Sequence, residues 1–456
     1  MIADYGLDLS SPRRLHLVGA GGSGMTPLAR LLRAEGHDLS GADRCANDAV
    51  AALRAEGMPV VTETEADVLP AGLDAVIYSA AVPVDAEVLL RARAAGVTVL
   101  KYARAVGLYS QSKKTLAVAG THGKTTTTGL LAYVLRRAGA DPTYLVGGSV
   151  PQLEGPGLGR SNLLAVEACE YDRSFLHLTP EIAVVTNVEA DHLDYFRDMV
   201  EICAAFRTFA AQVSDLLVLH ENLRETIGRA GGVRARVRTF GTSPDADVRV
   251  LPNSRGDGPR GFVLDGREYR LGLQGFHNIL NAAAVLCITE ELGLDREAVA
   301  RGLAEFRGVG RRLEVVGRPR GIPVIDDYAH HPTEVACGIQ TLRDEYAPRR
   351  LWVVFQPHQY SRLRRFLKDF ASALVHADCV VVPDIYAARD AEEDRLAVRS
   401  ADLVDEIRSR GGHAVHIPEF SAIVDFVRTQ AKAGDVVVTM GAGDVGDVAG
   451  RLAAAV

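Results

Sequence analysis

TLAVAGTHGKTTTT, residues 115–128, runs from an apolar strand through a glycine-rich turn into the start of a helix. Such a turn aims several backbone N–H groups, and the positive end of the helix, at one place, which suits a polyphosphate. Gly120 and Gly123 lack a Cβ and let the backbone approach a ligand closely. Lys124 offers a cation to the phosphates and the Thr125 hydroxyl a ligand to Mg2+. The common GxxxxGK[ST] spacing would put glycine at position 118, where Val118 stands, so the pattern is the shorter G-x-x-G-K-T. A bare Gly-Lys-Thr at a helix start is weak; the strand before it and the helix after it make phosphate binding the expectation.

A second loop of this kind lies upstream. LHLVGAGGSGM, residues 15–25, places Gly19, Gly21, Gly22 and Gly24 after an apolar strand, and PLARLLRAEG follows with helical periodicity. By itself GxGGxG fits a dinucleotide, another diphosphate, or tight packing of helix on strand. The dinucleotide reading asks for an acidic residue about 20 positions on, where Asp43 stands. A dehydrogenase does not need the Lys124 loop, and a plain ATPase does not need this one. Two nucleotide-type loops point to one for ATP and one for a substrate that itself carries a nucleotide.

The 456 residues suggest three domains of ordinary size. Apolar strands alternate with helical stretches throughout: DAVIYSAAV and VTVL in the first region, NLLAVEA and EIAVVTNV in the second, PVIDDYA, LWVVFQP, CVVVPDI and DVVVTMGAG in the third. That alternation predicts an α/β protein with parallel sheets. The expected division is a Rossmann-like domain over 1–110, a central ATP-binding domain of P-loop type over 111–311, and a second Rossmann-like domain over 312–456. SQSKK, residues 110–114, reads as a linker. Between Asp247 and Leu273 the turn pairs Asp257-Gly258 and Asp265-Gly266 predict a small antiparallel insertion, after which HNILNAAAVLCITEELG reads as a helix.

Composition excludes several classes. With 47% hydrophobic and 24% charged residues the chain has the make-up of a soluble globular protein. A net charge of −7 gives no cation excess for nucleic acid. No apolar run is long enough to span a bilayer, and MIADYGLDLS lacks the pattern of a signal peptide. The six cysteines are scattered without a CxxC pair, which predicts buried free thiols in a reducing cytoplasm.

Polar groups gather where apolar strands end. Glu167 and the stretch Asn187–His192 follow strands in the region of the phosphate loop and are candidate Mg2+ ligands, although a histidine ligand is unusual for that ion. Asp191-His192-Leu193-Asp194 fits equally a solvated cap at a helix start. DDYAHHP, residues 326–332, and His358, Arg362, Arg364 and Arg365 follow strands in the third region. An arginine there suits a substrate carboxylate, while others of the set are surface charge.

Taken together, GAGGSGM, GTHGKTTTT, VTNVEADHLDYF, FHNILNAAA, GVGRRLE, DDYAHHPTEV, FQPHQYSR and TMGAGDV occur in an order that resembles the Mur ligase family over essentially the whole chain. The resemblance implies an ATP- and Mg2+-dependent amide-forming ligase, and His122 in the loop narrows it toward the member that joins L-alanine to UDP-N-acetylmuramate. It implies that Gly120, Thr121, His122, Gly123, Lys124, Thr125 and Thr126 cradle ATP, with His277, Asn278 and Asn281 against the adenine and Asp327 near the nucleotide. Thr125, Glu167 and His192 would place Mg2+. Lys124 and Arg312 would hold the transferring phosphoryl group, and with His192 and His330 they make up the implied catalytic set. Gly19, Gly21, Gly22, Ser23 and Gly24, with Ser40, Asp43 and Ser79, would take the UDP part. Tyr328, His330, His358 and Arg362 would line the alanine pocket. A monomer or weak homodimer is expected, without nucleic-acid or membrane partners.

Three positions depart from the family pattern. Arg207 stands nearest the place of a carbamylated lysine that assists a second Mg2+ in related ligases, Cys169 replaces a common aspartate, and Gln359 an arginine of some members. A sibling ligase adding a preformed peptide to the same sugar, a nicotinamide-dependent dehydrogenase and a simple ATP-binding module are the competing readings. The last two leave ADHLDYF and DDYAHHP unexplained.

Overall fold

The computed structural model describes residues 7, 9–62, 69–155, 157–252, 261–388 and 390–454. Its strands form three sheets, so the α/β expectation holds. Contacts gather the chain into two compact units, one comprising Met1–Ala190, Asp198–Val250 and Leu280–Phe306, the other Asp191–Arg197, Leu251–Ile279 and Arg307–Val456.

The first unit opens with β1 (Arg14–Val18), β2 (Asp38–Asp43), β3 (Val60–Thr62), β4 (Ala75–Tyr78) and β5 (Thr98–Lys101), ordered β3-β2-β1-β4-β5 and all parallel. This is the doubly wound order, and its strand order reverses between β1 and β4, where ligands bind beyond the carboxyl ends. The central sheet contains β6 (Lys114–Ala119), β7 (Thr143–Leu145), β8 (Leu163–Glu167), β9 (Ile182–Val185), β10 (Leu216–His220), β11 (Arg236–Gly241) and β12 (Val248–Pro252), in the order β12-β11-β10-β9-β6-β8-β7. Leu116–Ala119, Leu164–Val166 and Ile182–Val185 are essentially inaccessible to solvent. Burial on both faces is why these strands are continuous apolar runs rather than alternating ones.

One expectation is corrected here. SQSKK is not a linker: Ser110 ends the helix Tyr102–Ser110 with its hydroxyl on the Gly107 carbonyl, and Lys114 already begins β6, leaving a three-residue turn. The expected antiparallel insertion is present as the hairpin of β13 (Gly261–Leu264) and β14 (Arg267–Arg270), while β12 runs parallel to β11. Its turn has φ +49° at Asp265 and +77° at Gly266, the positive pair that an Asp-Gly hairpin turn requires. Asp257-Gly258 lies outside the described residues.

The second unit carries β15 (Glu314–Gly317), β16 (Val324–Asp327), β17 (Leu351–Phe355), β18 (Cys379–Val382), β19 (Ala414–His416) and β20 (Val436–Met440), ordered β15-β16-β20-β17-β18-β19. Only β15 is antiparallel. The chain's single tryptophan, Trp352, lies in this sheet, 3% exposed, with its indole N–H donating to Asp435 at 3.1 Å. All six cysteines are free, but only Cys287 is buried and Cys45 is exposed; the expectation of uniformly buried thiols fails because four of the others sit at half-covered positions. Among the described residues no helix is long and apolar enough to cross a membrane.

Candidate active site

Parallel pairing builds the phosphate loop's surroundings. Val118 of β6 faces Glu167 of β8 on one side, and Ala119 faces Val185 of β9 on the other. The loop leaving β6 is therefore flanked by Glu167 and by the residues just after β9. Asn187 receives the amide of His122 on its side-chain carbonyl at 2.8 Å, and its backbone carbonyl receives the amide of Thr121 at 3.0 Å. The Thr186 hydroxyl donates to the His122 carbonyl at 2.6 Å. A Cβ on Gly120 would lie 2.1 Å from that hydroxyl oxygen, so only glycine fits. Gly123 caps the helix Lys124–Arg137 in the left-handed region at φ +82°, and its open side faces Asn281.

The two oxygens expected to meet Mg2+ are together. The Thr125 hydroxyl donates to Glu167 at 3.0 Å, and the second carboxylate oxygen of Glu167 accepts from the Gly147 amide at 2.9 Å. A hydroxyl and a carboxylate are hard oxygen donors that suit this ion. Lys124 folds back over the loop, donating to the carbonyls of Gly120 and Thr121 at 2.6 and 2.9 Å, and pairs with Glu170 at 2.9 Å. Burial alone would lower its affinity for a proton, but Glu170, through its charge and its hydrogen bond, together with the neighbouring Cys169 and Glu167 raises it. Glu170, 2% exposed, escaped the sequence reading. Its only signal was a second acidic residue three positions after Glu167. Burial and the neighbouring Glu170 charge push the Cys169 thiol up to about 12, so it stays neutral.

The N-terminal glycine loop borders a cavity of about 330 Å³ lined by Gly19, Gly21, Gly22, Asp43 and Ser79, among others. Asp43 does not project freely toward a ligand. Its two carboxylate oxygens accept from the amides of Gly21 (2.9 Å) and Cys45 (3.1 Å), bracing the loop. Three of the expected residues lie elsewhere. Ser40 turns its hydroxyl to His16 at 2.8 Å, Gly24 backs onto the Tyr102 ring, and Ser23 is exposed and outside the lining.

In the second unit the carboxyl ends of β16, β17 and β20 come together, with the Gly441 amide on the Asp327 carbonyl and the Gln356 amide on that of Met440. Tyr328, His330, His358 and Arg362 are brought into one cluster: the His330 ring lies 5.4 Å from Tyr328 and 6.2 Å from His358. Arg362 approaches His358 at 3.4 Å but gives its other amino group to Asp191 at 2.8 Å, both partners being buried. The expected carboxylate clamp is thus already engaged by an internal anion, because the polar segment around Asp191 is not the solvated cap it resembles; Asp198 caps the following helix instead. Burial works against Asp191's charge, yet Arg362 holds its carboxyl far below the usual range. His192, at φ +51°, donates its amide to Asp191. Arg312 lies over the Tyr328 ring, 3.7 Å from Glu334. Glu334, another group the sequence reading missed, accepts from the amides of His330 and His331 as the third residue of the helix Pro332–Tyr346. Asn278 donates to the Gln274 carbonyl. Arg364, itself exposed and paired with Glu393 and Asp394, is the expected surface charge.

Burial sets the charge states. His16, His277 and His330 are each lowered to about 4, chiefly by burial, and are neutral near pH 7. Asp327 is raised to about 7, again chiefly by burial. A histidine with a lowered value contributes stability that is complete above 6.5 and is lost as pH falls toward 4. Asp327 has the opposite sign: its contribution is complete below 3.8 and is lost as pH rises toward 7. Acidification from 7 to 4 therefore removes the contributions of these histidines, and of His177 and His220, which burial also lowers, and restores that of Asp327. Urea midpoints followed by circular dichroism are expected to fall over that range, less steeply in His16→Gln. An equal slope in the variant would remove His16 from the balance.

Comparison with known proteins agrees with this geometry. Family models match residues 14–114 (Mur ligase family, catalytic domain), 118–289 (Mur ligase middle domain) and 311–443 (Mur ligase, glutamate ligase domain). The chain is 38% identical over 452 residues, 97% of both chains, to a UDP-N-acetylmuramate–L-alanine ligase of Caldanaerobacter subterraneus subsp. tengcongensis. It is 41% identical to one of Kineococcus radiotolerans, covering 95% of this chain and 94% of that one. The solved structure of a UDP-N-acetylmuramate–alanine ligase from Thermotoga maritima superimposes with a TM-score of 0.80 at 28% identity, over 96% of this chain and 98% of that one. Similarity of this extent, carried through the phosphate loop and both strand-end clusters, shows that the chain belongs to the Mur ligase family.

Proposed function

We propose that the protein joins L-alanine to the lactyl carboxylate of UDP-N-acetylmuramate at the expense of ATP, giving UDP-N-acetylmuramoyl-L-alanine, ADP and phosphate. The observation that carries this reading is the near-complete coverage, at 38% identity, of a relative bearing that activity in its name. The phosphate loop with its Thr125–Glu167 pair supports the ATP part. Six free thiols fit a reducing cytoplasm.

A carboxylate resists attack by an amine because its carbon is a poor electrophile and oxide a poor leaving group. Transfer of the γ-phosphoryl group to a carboxylate oxygen makes an acyl phosphate and releases ADP. The alanine amine then adds to the carbonyl carbon, and the tetrahedral adduct expels phosphate as the nitrogen gives up its proton. Phosphoryl transfer is catalysed by positioning and by neutralising charge. Lys124 is assigned to the phosphates in the first unit, and Arg312 to the phosphoryl group in the second. Thr125, Glu167 and, with a nitrogen donor, His192 are assigned to Mg2+, which when bound would offset phosphate charge. Asp43 and Ser79 line the cavity assigned to the UDP part. Tyr328, His330, His358 and Arg362 are assigned to the amino acid. His330, neutral at pH 7, is suited to accept a proton there. Division into three domains over 1–110, 111–311 and 312–456 belongs to the same proposal.

Phosphate release from ATP is expected only when UDP-N-acetylmuramate and L-alanine are both present, with other amino acids assayed one at a time. Release independent of the sugar nucleotide would sink the proposal. Dependence on an added peptide in place of alanine would favour the sibling ligase.

A further inference from the structure

The lysine of the phosphate loop has three donors, and all three are used inside the protein. Two go to the carbonyls of Gly120 and Thr121, and the third faces Glu170, whose oxygens lie 2.9 and 3.1 Å away. A phosphate oxygen can therefore reach the ammonium only by displacing one of these partners. The carbonyls are part of the loop backbone and are fixed by it. Glu170 is the one partner that is itself an anion and rests on a different segment.

That segment is held with unusual care. Asp172 and Arg173, two non-glycine residues in succession, have φ of +55° and +53°, a conformation that persists only where the surroundings impose it. Lys101 pairs with Asp172, and Arg173 pairs with Glu201 at 2.7 Å. The Arg173 amide donates back to the Glu170 carbonyl at 2.9 Å. The result is a carboxylate, 2% exposed, delivered against the ammonium by a strained turn with an ion pair on each of its two residues.

We propose that Glu170 is a positioning residue that holds the Lys124 ammonium between turnovers and competes with nucleotide phosphate for it, so that nucleotide enters and leaves by exchange of one anion for the other. This rests on the assignment of the Lys124 loop to ATP. Nothing covalent changes; one charge-assisted contact replaces another. Glu170 thereby caps the affinity for ADP and favours its departure, since the lysine has an anion to return to.

Glu170→Gln keeps the shape and removes the competing charge. Calorimetric titration with ADP and Mg2+ is expected to show binding about tenfold tighter than wild type, the gap between a charged and a neutral acceptor. KM for ATP should fall along with kcat, as product leaves more slowly. Melting followed by circular dichroism should show the variant destabilised without ADP and restored by saturating ADP. A merely structural carboxylate predicts the reverse, with ADP binding unchanged or weaker and both melts lowered; that result overturns the proposal. Should Glu170→Gln not fold, Glu170→Asp, whose shorter arm loosens the pair, is expected to tighten ADP binding by a smaller factor, and unchanged binding there overturns it equally. Wild-type protein that binds no ADP would instead remove the ATP assignment on which the proposal stands.

Discussion

Lys124→Ala is expected to lower kcat/KM for ATP-dependent ligation by about 10³-fold, in the range lost when a single donor to developing charge is removed. The γ-phosphoryl group passes between two oxygens with its charge spread over three others, and little covalent chemistry is left for the protein. Removing the cation that faces it takes away stabilisation that exists mainly in the transition state, so kcat should carry most of the loss. The structure adds a second consequence. Lys124 is the partner of a carboxylate only 3% exposed at its side chain, and a buried charge without its partner costs roughly 3–5 kcal/mol. The single variant should therefore melt lower than wild type, and Lys124→Ala combined with Glu170→Gln should recover much of that stability while remaining inactive. Activity in Lys124→Ala within tenfold of wild type would exclude the residue from phosphoryl transfer.

Asp191→Ala should be among the most destabilising single substitutions in the second unit. Asp191 and Arg362 meet at 2.8 Å with side chains 6% and 7% exposed. Neither can recover water when the other is lost, and the expected cost is about 3–5 kcal/mol in urea denaturation. Arg362→Leu in the same background removes the stranded cation and should return most of the stability, since a buried pair is often no better than an apolar replacement. A single-mutant loss below about 0.5 kcal/mol, the size of an ordinary surface effect, would mean the pair is open to solvent. The sign with pH is also fixed. Asp191 has a lowered value, so its contribution is present above the ordinary carboxylate range and persists well below it. Mild acid should leave the pair intact while the neutral histidines charge. Kinetics test the other side of the same contact: if Arg362 also serves the substrate carboxylate, Arg362→Lys should raise KM for alanine far more than KM for ATP.

The parts of this molecule that are local in sequence were legible there. Apolar runs such as LAVA at 116–119 and VVV at 380–382 mark strands buried on both faces, and glycines directly after them mark loops that a Cβ would close. Asp265-Gly266 announced its hairpin because its two positive φ values suit few other residue pairs. What escaped were partnerships set by folding. Arg362 and Asp191 are 171 positions apart, and no pattern near either indicates that one occupies the other. Ser40 sits on the expected strand, yet the choice between a ligand and His16 depends on which face of β2 is turned to β1. Glu170 was hidden for a related reason: its importance comes from a strained turn whose φ values are imposed by Lys101 and Glu201, residues of other segments. The linker reading of SQSKK failed because polarity was taken as looseness, whereas Ser110 is fully buried and satisfied by its own helix.

Trp352 sets a condition on how any of these variants is followed. Its indole is buried in the third sheet, bonded to Asp435, and all its surroundings belong to the second unit. Intrinsic fluorescence excited at the indole band therefore reports on that unit alone. An emission trace would register Asp191→Ala clearly and would be blind to damage confined to the first unit, where both glycine loops, Lys124 and Glu170 reside. A single tryptophan thus makes this chain optically one-sided: agreement between emission and a whole-molecule probe is a measurement of whether the two units unfold together.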